Sequence, residues 1–326
     1  MDRALALAGW FRLRPIREAR RIVSRQQPWK PAPGHEVTIE GPPGSHVDLA
    51  VWLAILWLAR HAVPGPPDQM APRPLPPKSR RPPHRYGRRS IQHLPADTDL
   101  FAGEELNPAN RALRYRHLTI RTSLSELVDI MAEAGGDSVD IPSRFAVRRS
   151  LDRLASISIR TGPTRDSHGA PSTQTALLAA RISAGPSPVI LTLNYRATAA
   201  ILGRSTVPRD RAYAPICLRT YLHLSPEARL VYAWLMGWFG PSLREGAIRV
   251  STLTRHIYGV GEEDDAEGPG PVHQATERRR WNAVARALPQ IRDGLGWAIS
   301  DRTAETGDED LVVITPTAEH RCFGAS

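Results

Sequence analysis

Lysine, cysteine and long apolar runs are scarce in this sequence of 326 residues. Lys30 and Lys78 are its only lysines, and each lies next to a proline. A P-loop requires Gly-Lys-Ser/Thr to cradle phosphates, so neither lysine belongs to one. The two cysteines provide neither a disulfide framework nor a zinc quartet, which favours a reducing compartment such as the cytoplasm.

Signals for membrane insertion and for catalysis are also missing. The most apolar run, residues 49–62, ends before Pro64 and is too short to cross a bilayer. Residues 4–10 are too short for the core of a secretory signal. The acidic residues at 262–267 are more typical of a solvated loop than of a metal site. We therefore expect a cytoplasmic protein that is not an enzyme, with no membrane partner, no metal and no cofactor.

Positive charge, in contrast, is abundant and carried almost entirely by arginine. The net charge of +10 and the isoelectric point near 10.3 favour a polyanionic partner. Residues 1–35 form a basic N-terminal segment. Residues 64–111 are rich in proline and arginine and predict an extended or disordered insertion. This insertion can act as a tethered loop or as a non-specific phosphate contact.

The last third of the chain shows the order of elements that is typical of a winged helix, a helix-turn-helix followed by a β-hairpin. A helix begins at Ser225-Pro226, a short helix follows from Ser251, and an Arg-rich helix ends near Gly294. Strand candidates lie at 213–222, 297–300 and 311–315.

A weaker copy of this order lies upstream. Its predicted helices are 46–62, one capped by Ser123, and one with Pro142 in its first turn. Its strand candidates are 37–39, 115–120, 156–160, 175–182 and 189–193. We therefore predict an α+β fold of two tandem winged-helix domains, the first module (36–195) and the second module (196–326), with a short linking helix at 194–203.

The Arg-rich helix of the second module carries the main candidate site. At about 100° per residue, one side of this helix is apolar and carries Trp281, Val284, Leu288 and Ile291. The opposite side carries Arg279, Asn282, Arg286 and Gln290. Arginine pairs with guanine, and asparagine or glutamine pairs with adenine, in the major groove of DNA. These residues are therefore candidates for reading bases, and an ordinary solvated face is the alternative.

Other arginines are candidates for phosphate contacts. Arg278 and Arg280 flank the base-reading side of the same helix. The third helix of the first module carries Arg148, Arg149 and Arg153, although Asp152 lies among them and weakens the signal. In the Arg-rich helix, Pro289 removes one backbone hydrogen bond and predicts a kink near the end.

Several segments, taken in order, resemble a known family. They include Gly9-Trp10-Phe11-Arg12, Leu151-Asp152-Arg153-Leu154, Leu224-Ser225-Pro226-Glu227-Ala228-Arg229-Leu230, Arg278-Arg279-Arg280 and Leu295-Gly296-Trp297. In this order they resemble the replication initiator proteins of IncQ-type broad-host-range plasmids, the replication protein C family. The resemblance covers most of the chain, but the insertion at 64–111 departs from the family pattern.

This resemblance implies a function that composition and periodicity do not. Family members bind iterons, direct repeats of duplex DNA in a plasmid origin, and promote origin opening and helicase loading. The helicase and primase are then separate proteins, and a homodimer can form. The main alternative is a winged-helix transcriptional regulator or autorepressor without a role in origin melting. A purely protein-binding module is a further alternative.

Overall fold

A computed structural model of the chain describes a set of segments in both modules. The described residues are 6, 10–13, 23–26, 35–62, 92–94, 117–137, 139–163, 173–182, 188–194, 197–198, 201, 216–239, 245–259, 271–301 and 310–317. Most of the predicted insertion at 64–111 lies outside them. Within it, however, Gln92–Leu94 is a β-strand, so that part is not a disordered tether.

The described part of the first module contains three helices, and each follows a serine. They are α1 (His46–Ala62), α2 (Leu124–Gly135) and α3 (Arg144–Ala155). The Ser123 hydroxyl accepts a hydrogen bond from the Glu126 N–H at 3.1 Å, as a capping serine does. Ser143 caps α3, so the prediction that Pro142 lies in its first turn is wrong. The predicted stop of α2 at the glycine pair is confirmed, with φ of Gly136 at +66°.

Two antiparallel sheets and one short parallel pair surround these helices. The strands are β1 (Phe11–Arg12), β2 (Val23–Gln26), β3 (His35–Gly41), β4 (Gly44–Ser45), β5 (Gln92–Leu94), β6 (His117–Thr122), β7 (Ser158–Pro163), β8 (Thr173–Ala176), β9 (Leu178–Arg181) and β10 (Val189–Leu193). One sheet has the order β2-β3-β7-β8, and the other has the order β5-β6-β10-β9. Between β8 and β9, the buried Leu177 donates its N–H to the Ile157 carbonyl at 2.7 Å. The chain therefore passes from one sheet to the other at Leu177.

The second module contains four helices and one three-stranded sheet in its described part. They are α4 (Leu218–His223), α5 (Pro226–Trp238), β11 (Gly246–Arg249), α6 (Val250–Tyr258), α7 (Pro271–Leu295), β12 (Ala298–Asp301) and β13 (Leu311–Thr315). The antiparallel sheet has the order β11-β13-β12. The predicted strands at 297–300 and 311–315 and the cap of α5 at Ser225 are confirmed.

The predicted strand at 213–222 is wrong where the structure describes it, because residues 218–223 form α4. The carbonyls of Tyr221 and Leu222 accept hydrogen bonds from the Arg229 guanidinium at 3.1 and 2.6 Å. These bonds satisfy two of the carbonyls that a helix leaves open at its end. Tertiary capping therefore selects a helix for a segment whose composition favours a strand.

A single hydrophobic core runs through both modules. Helix α4 packs against α1 and α2 of the first module. In the linker, Ala197, Thr198 and Ile201 are helical, as predicted. None of the described helices combines the length and apolarity needed to cross a bilayer.

Part of the predicted basic segment 1–35 is built into this core. Trp10 and Phe11 are buried, and the Trp10 indole donates to the Pro42 carbonyl at 3.1 Å. Strand β1 pairs with β4 of the first module, while Leu13 donates its N–H to the Ile257 carbonyl of α6 at 3.1 Å. Residues 10–13 therefore form a strap that joins the two modules.

Candidate nucleic-acid interface

Helix α7 is anchored on one side by apolar side chains. Val284 and Ile291 are fully buried, Leu288 is nearly so, and the helix packs against α5 and α6. The helix continues past Pro289 to Leu295 without a break. The predicted apolar side is therefore correct for these residues, and it fixes which residues α7 turns outward.

The outward side of α7 carries three exposed polar residues in a row. Arg279, Asn282 and Arg286 are all exposed, and we call them the α7 stripe. The Arg286 Nε donates to the Asn282 carbonyl of the same helix at 3.3 Å, which aligns the side chain along the stripe. The stripe offers the fork of donors that matches guanine and the amide that matches adenine.

Gln290 differs from the α7 stripe because its side chain contacts another helix. Its Oε1 accepts a hydrogen bond from the Ser225 N–H at 3.1 Å, at the start of α5. The amide therefore helps to cap a neighbouring helix, which occupies the oxygen that adenine recognition requires. We accordingly leave Gln290 out of the base-reading set.

Arg278 and Arg280 differ in their exposure, although the sequence predicts the same role for both. Arg278 is exposed, whereas Arg280 is half-buried and its guanidinium lies 5.5 Å from the ring centre of Tyr258 in α6. Two residues apart on a helix means about 160° of separation, so the two arginines face different directions. The position of Arg278 suits a phosphate contact, and that of Arg280 suits packing on α6 by a cation–π interaction.

Trp281 is half-buried rather than central to the core, so the predicted apolar side is narrower than expected. Its indole N–H donates to Asp310 Oδ1 at 2.8 Å. The Asp310 carboxylate also accepts from the N–H of Ser251 at 2.8 Å and from the Ser251 hydroxyl. Helix α6 begins at Val250, so the prediction that Ser251 is its N-cap is wrong. The Ser251 N–H and hydroxyl instead donate to the Asp310 carboxylate.

Asp310 is a residue that the sequence analysis missed. It lies just before β13 and connects this strand to the start of α6 and to α7, and its own carbonyl accepts from the Val250 N–H at 2.8 Å. Since β13 is one strand of the predicted wing, Asp310 fixes the wing relative to the stripe. Its partners lie far away in sequence, so no local signal identifies it.

In the first module, α3 presents Arg148 and Arg149 to solvent. Arg153 is different, because its guanidinium forms a bidentate pair with Asp48 of α1, with Nε–Oδ2 at 2.9 Å and Nη2–Oδ1 at 2.5 Å. Asp48 is completely buried and also accepts from the Ser45 N–H at 2.7 Å. The structure therefore gives Arg153 a role in joining α3 to α1, in place of the predicted phosphate contact.

Contacts at the junction between the modules hold α3 and α7 in one folded body. The Tyr221 hydroxyl of α4 donates to the His46 carbonyl at the start of α1 at 2.8 Å. Burial lowers the pKa of the His46 imidazole, and the nearby Arg229 lowers it further. Burial also raises the pKa of Tyr221 far above its usual range, so its hydroxyl stays a donor. Both groups are therefore neutral at pH 7.

Metal ligands do not gather anywhere in the described part of the chain. Among these residues, no group of three or more His, Cys, Asp or Glu side chains lies close enough to hold an ion. The polar surface described above therefore consists of arginine and amide groups.

Comparisons with known proteins concern the fold. No family model and no curated protein matches the sequence. A crystal structure of RctB domains 2–3 has a TM-score of 0.50 at 11% identity, covering 96% of this chain and 97% of that one. The fold is similar to that of RctB domains 2–3.

Two further structures are similar to a lesser degree. A selenomethionine derivative of RctB domains 2 and 3 gives a TM-score of 0.49 at 13% identity, covering 96% of this chain and 98% of that chain. The Pi initiator protein in complex with iteron DNA gives a TM-score of 0.37 at 12% identity, covering 62% of this chain and 82% of that chain.

Proposed function

We propose that this chain is a plasmid replication initiator that binds iteron repeats in duplex DNA. The observation that carries this proposal is the α7 stripe, in which Arg279, Asn282 and Arg286 lie exposed on a helix whose other side is buried. A helix of about 10–12 Å diameter fits the major groove, where these side chains can reach base edges.

The proposal treats both modules as winged helices. In the second module, α5, β11, α6 and α7 precede the two strands β12 and β13, which is the order that a winged helix requires. The first module has a similar order, with α1, β6, α2 and α3 before the strands from β7 onward. Each module then contributes its last helix to a major groove, α7 in one and α3 in the other.

Origin opening and helicase loading are part of the proposal. The resemblance to the replication protein C family supports both steps, and it implies a helicase and a primase as separate proteins. Binding to several iterons would help to offset the cost of bending and unstacking the neighbouring DNA. A homodimer belongs to the same family pattern. The chain itself hydrolyses no nucleotide and cuts no strand in this account.

Strand opening separates this function from that of a transcriptional regulator. The experiment adds purified protein to supercoiled plasmid carrying the DNA that flanks its own gene, and maps unpaired thymines with permanganate. An initiator makes thymines reactive in an AT-rich region beside the bound repeats, in the absence of ATP. Specific binding without reactive thymines would favour the regulator, and binding to no duplex would favour a protein-binding module.

A further inference from the structure

Phe145 is the exposed large hydrophobic side chain of the described residues, with 69% of its surface accessible. It lies in the first turn of α3, two residues after the capping Ser143. Exposed aromatic rings leave considerable apolar surface in water, and a partner that covers the ring recovers that free energy. The position in the last helix of the first module makes this ring a candidate for contact with the same partner as α3.

The ring lies on the side of α3 that faces away from the core. The buried residues of α3 are Val147, Ser150, Leu151 and Leu154. The helical projection places Phe145 and Arg149 opposite them. The Arg149 guanidinium lies 5.8 Å from the centre of the Phe145 ring, so the two side chains form one unit.

Charge around the ring identifies the kind of partner. Arg144, Arg148 and Arg149 are exposed in the same two turns, and Asp152 is the one exposed acidic residue of α3. An apolar protein surface placed on Phe145 would have to cover three guanidinium groups at a large desolvation cost. A polyanion with apolar groups inside a groove satisfies both the ring and the arginines. Duplex DNA has this combination, because the thymine C5-methyl group lies in the major groove between two rows of phosphates.

We propose that Phe145 contacts the C5-methyl group of a thymine in the major groove and gives the first module its own sequence preference. This rests on the proposed function, since it assumes that α3 enters a groove of the same DNA that α7 reads. The first turn of a recognition helix is the part that contacts base edges, which is where Phe145 lies. Arg149 then holds the ring in place, while Arg144 and Arg148 face the phosphates.

Replacing thymine by uracil tests this contact, because it removes only the methyl group. The probe is a duplex that the full-length wild-type chain selects from a random-sequence pool, with each thymine replaced in turn. We expect uracil at one position to weaken wild-type binding about fourfold, the loss for one buried methyl group. The Phe145→Ala chain should bind the thymine duplex about as weakly and should no longer distinguish uracil at that position. Phe145→Leu, which keeps an apolar side chain, should retain most of the discrimination.

The possible results separate this inference from the proposed function. If the wild-type chain selects no duplex, the proposed function and the thymine contact are both overturned. If it selects one and Arg286→Ala loses base discrimination, but Phe145→Ala keeps full sensitivity to the same uracils, only the thymine contact is overturned. If Phe145→Ala leaves DNA binding unchanged and instead lowers self-association in sedimentation, the ring belongs to an interface with a second copy, which also overturns the inference.

Discussion

At the scale of single residues, the structure divides the arginines of α3 and α7 into two groups. Arg279 and Arg286 reach solvent, whereas Arg153 and Arg280 are held by Asp48 and by the Tyr258 ring. All four residues carry the same charge and lie on α3 or α7, so the sequence alone does not separate the two groups. Only their tertiary partners separate the arginines of the proposed DNA-binding surface from those that stabilise the fold.

Arg286 and Arg278 allow the first prediction at this scale. Losing a bidentate arginine–guanine contact costs roughly 1–3 kcal/mol and relaxes preference at one base pair. Losing a phosphate contact weakens all sequences alike and reduces the salt slope by about one. Arg286→Ala should therefore lose discrimination among mutated sites, and Arg278→Ala should keep it, in binding assays over a salt series. An equal loss for specific and random duplexes with Arg286→Ala would show that the stripe does not read bases.

Arg153 gives a prediction about stability. Removing one partner of a buried ion pair leaves an uncompensated charge, here on the fully buried Asp48, at a cost of about 3–5 kcal/mol. Arg153→Ala should lower the free energy of unfolding by about that amount in urea titrations. Arg149→Ala, on the exposed side of the same helix, is the matched control and should change it by about 0.5 kcal/mol or less. Equal stability of the two variants would mean that the Asp48 pair contributes little.

At the scale of elements, the predictable parts were those with local signals. The capping serines at 123 and 225 and the alternating wing strands identify α2, α5, β12 and β13. The segment at 218–223 is different, because its short apolar run suits a helix or a strand, and the capping bonds from Arg229 in the next helix favour the helix. The stripe was predictable from helical spacing, but the cap that Gln290 makes on α5 depends on tertiary contact and was not.

Asp310 connects the start of β13 to two helices, and this leads to a prediction. Its carboxylate accepts hydrogen bonds from Ser251 and Trp281. At about 0.5–1.5 kcal/mol for each of three bonds, Asp310→Ala should lower the free energy of unfolding by roughly 2–4 kcal/mol. Asp293→Ala is the control, because this exposed carboxylate pairs with its sequence neighbour Arg292 and exposed pairs contribute little. Thermal and urea unfolding measure the stability of both variants. An Asp310→Ala chain as stable as wild type would exclude this role of Asp310.

At the scale of the whole molecule, the two modules behave as one folded body. The core is continuous, the strap at 10–13 contacts both modules, and α4 packs on α1 and α2. The spacing between α3 and α7 is therefore set by the fold itself. A preorganised pair of helices avoids the ordering cost that flexibly linked domains incur on binding.

His46 at the junction makes the joint stability depend on pH. Burial lowers the pKa of its imidazole below the unfolded value of 6.5. Below about pH 6.5 the unfolded chain therefore binds a proton more readily than the folded chain, and stability falls as pH decreases. Urea titrations from about pH 8 to about pH 5 should show a weaker dependence for His46→Gln than for wild type. An unchanged dependence in His46→Gln would assign the effect to other groups.

The most direct test of the whole account is a nuclease footprint on the DNA that flanks the gene of this protein. Full-length wild type and an Arg148→Ala/Arg149→Ala chain, altered only on the exposed side of α3, are compared on the same DNA. We expect wild type to protect direct repeats, each over two successive major grooves, about one helical turn apart. The double variant should protect only the half contacted by α7, and its salt slope should fall by at least about one, for the phosphate contact of Arg148. Protection of the same length and affinity in both chains would contradict the claim that both modules bind DNA.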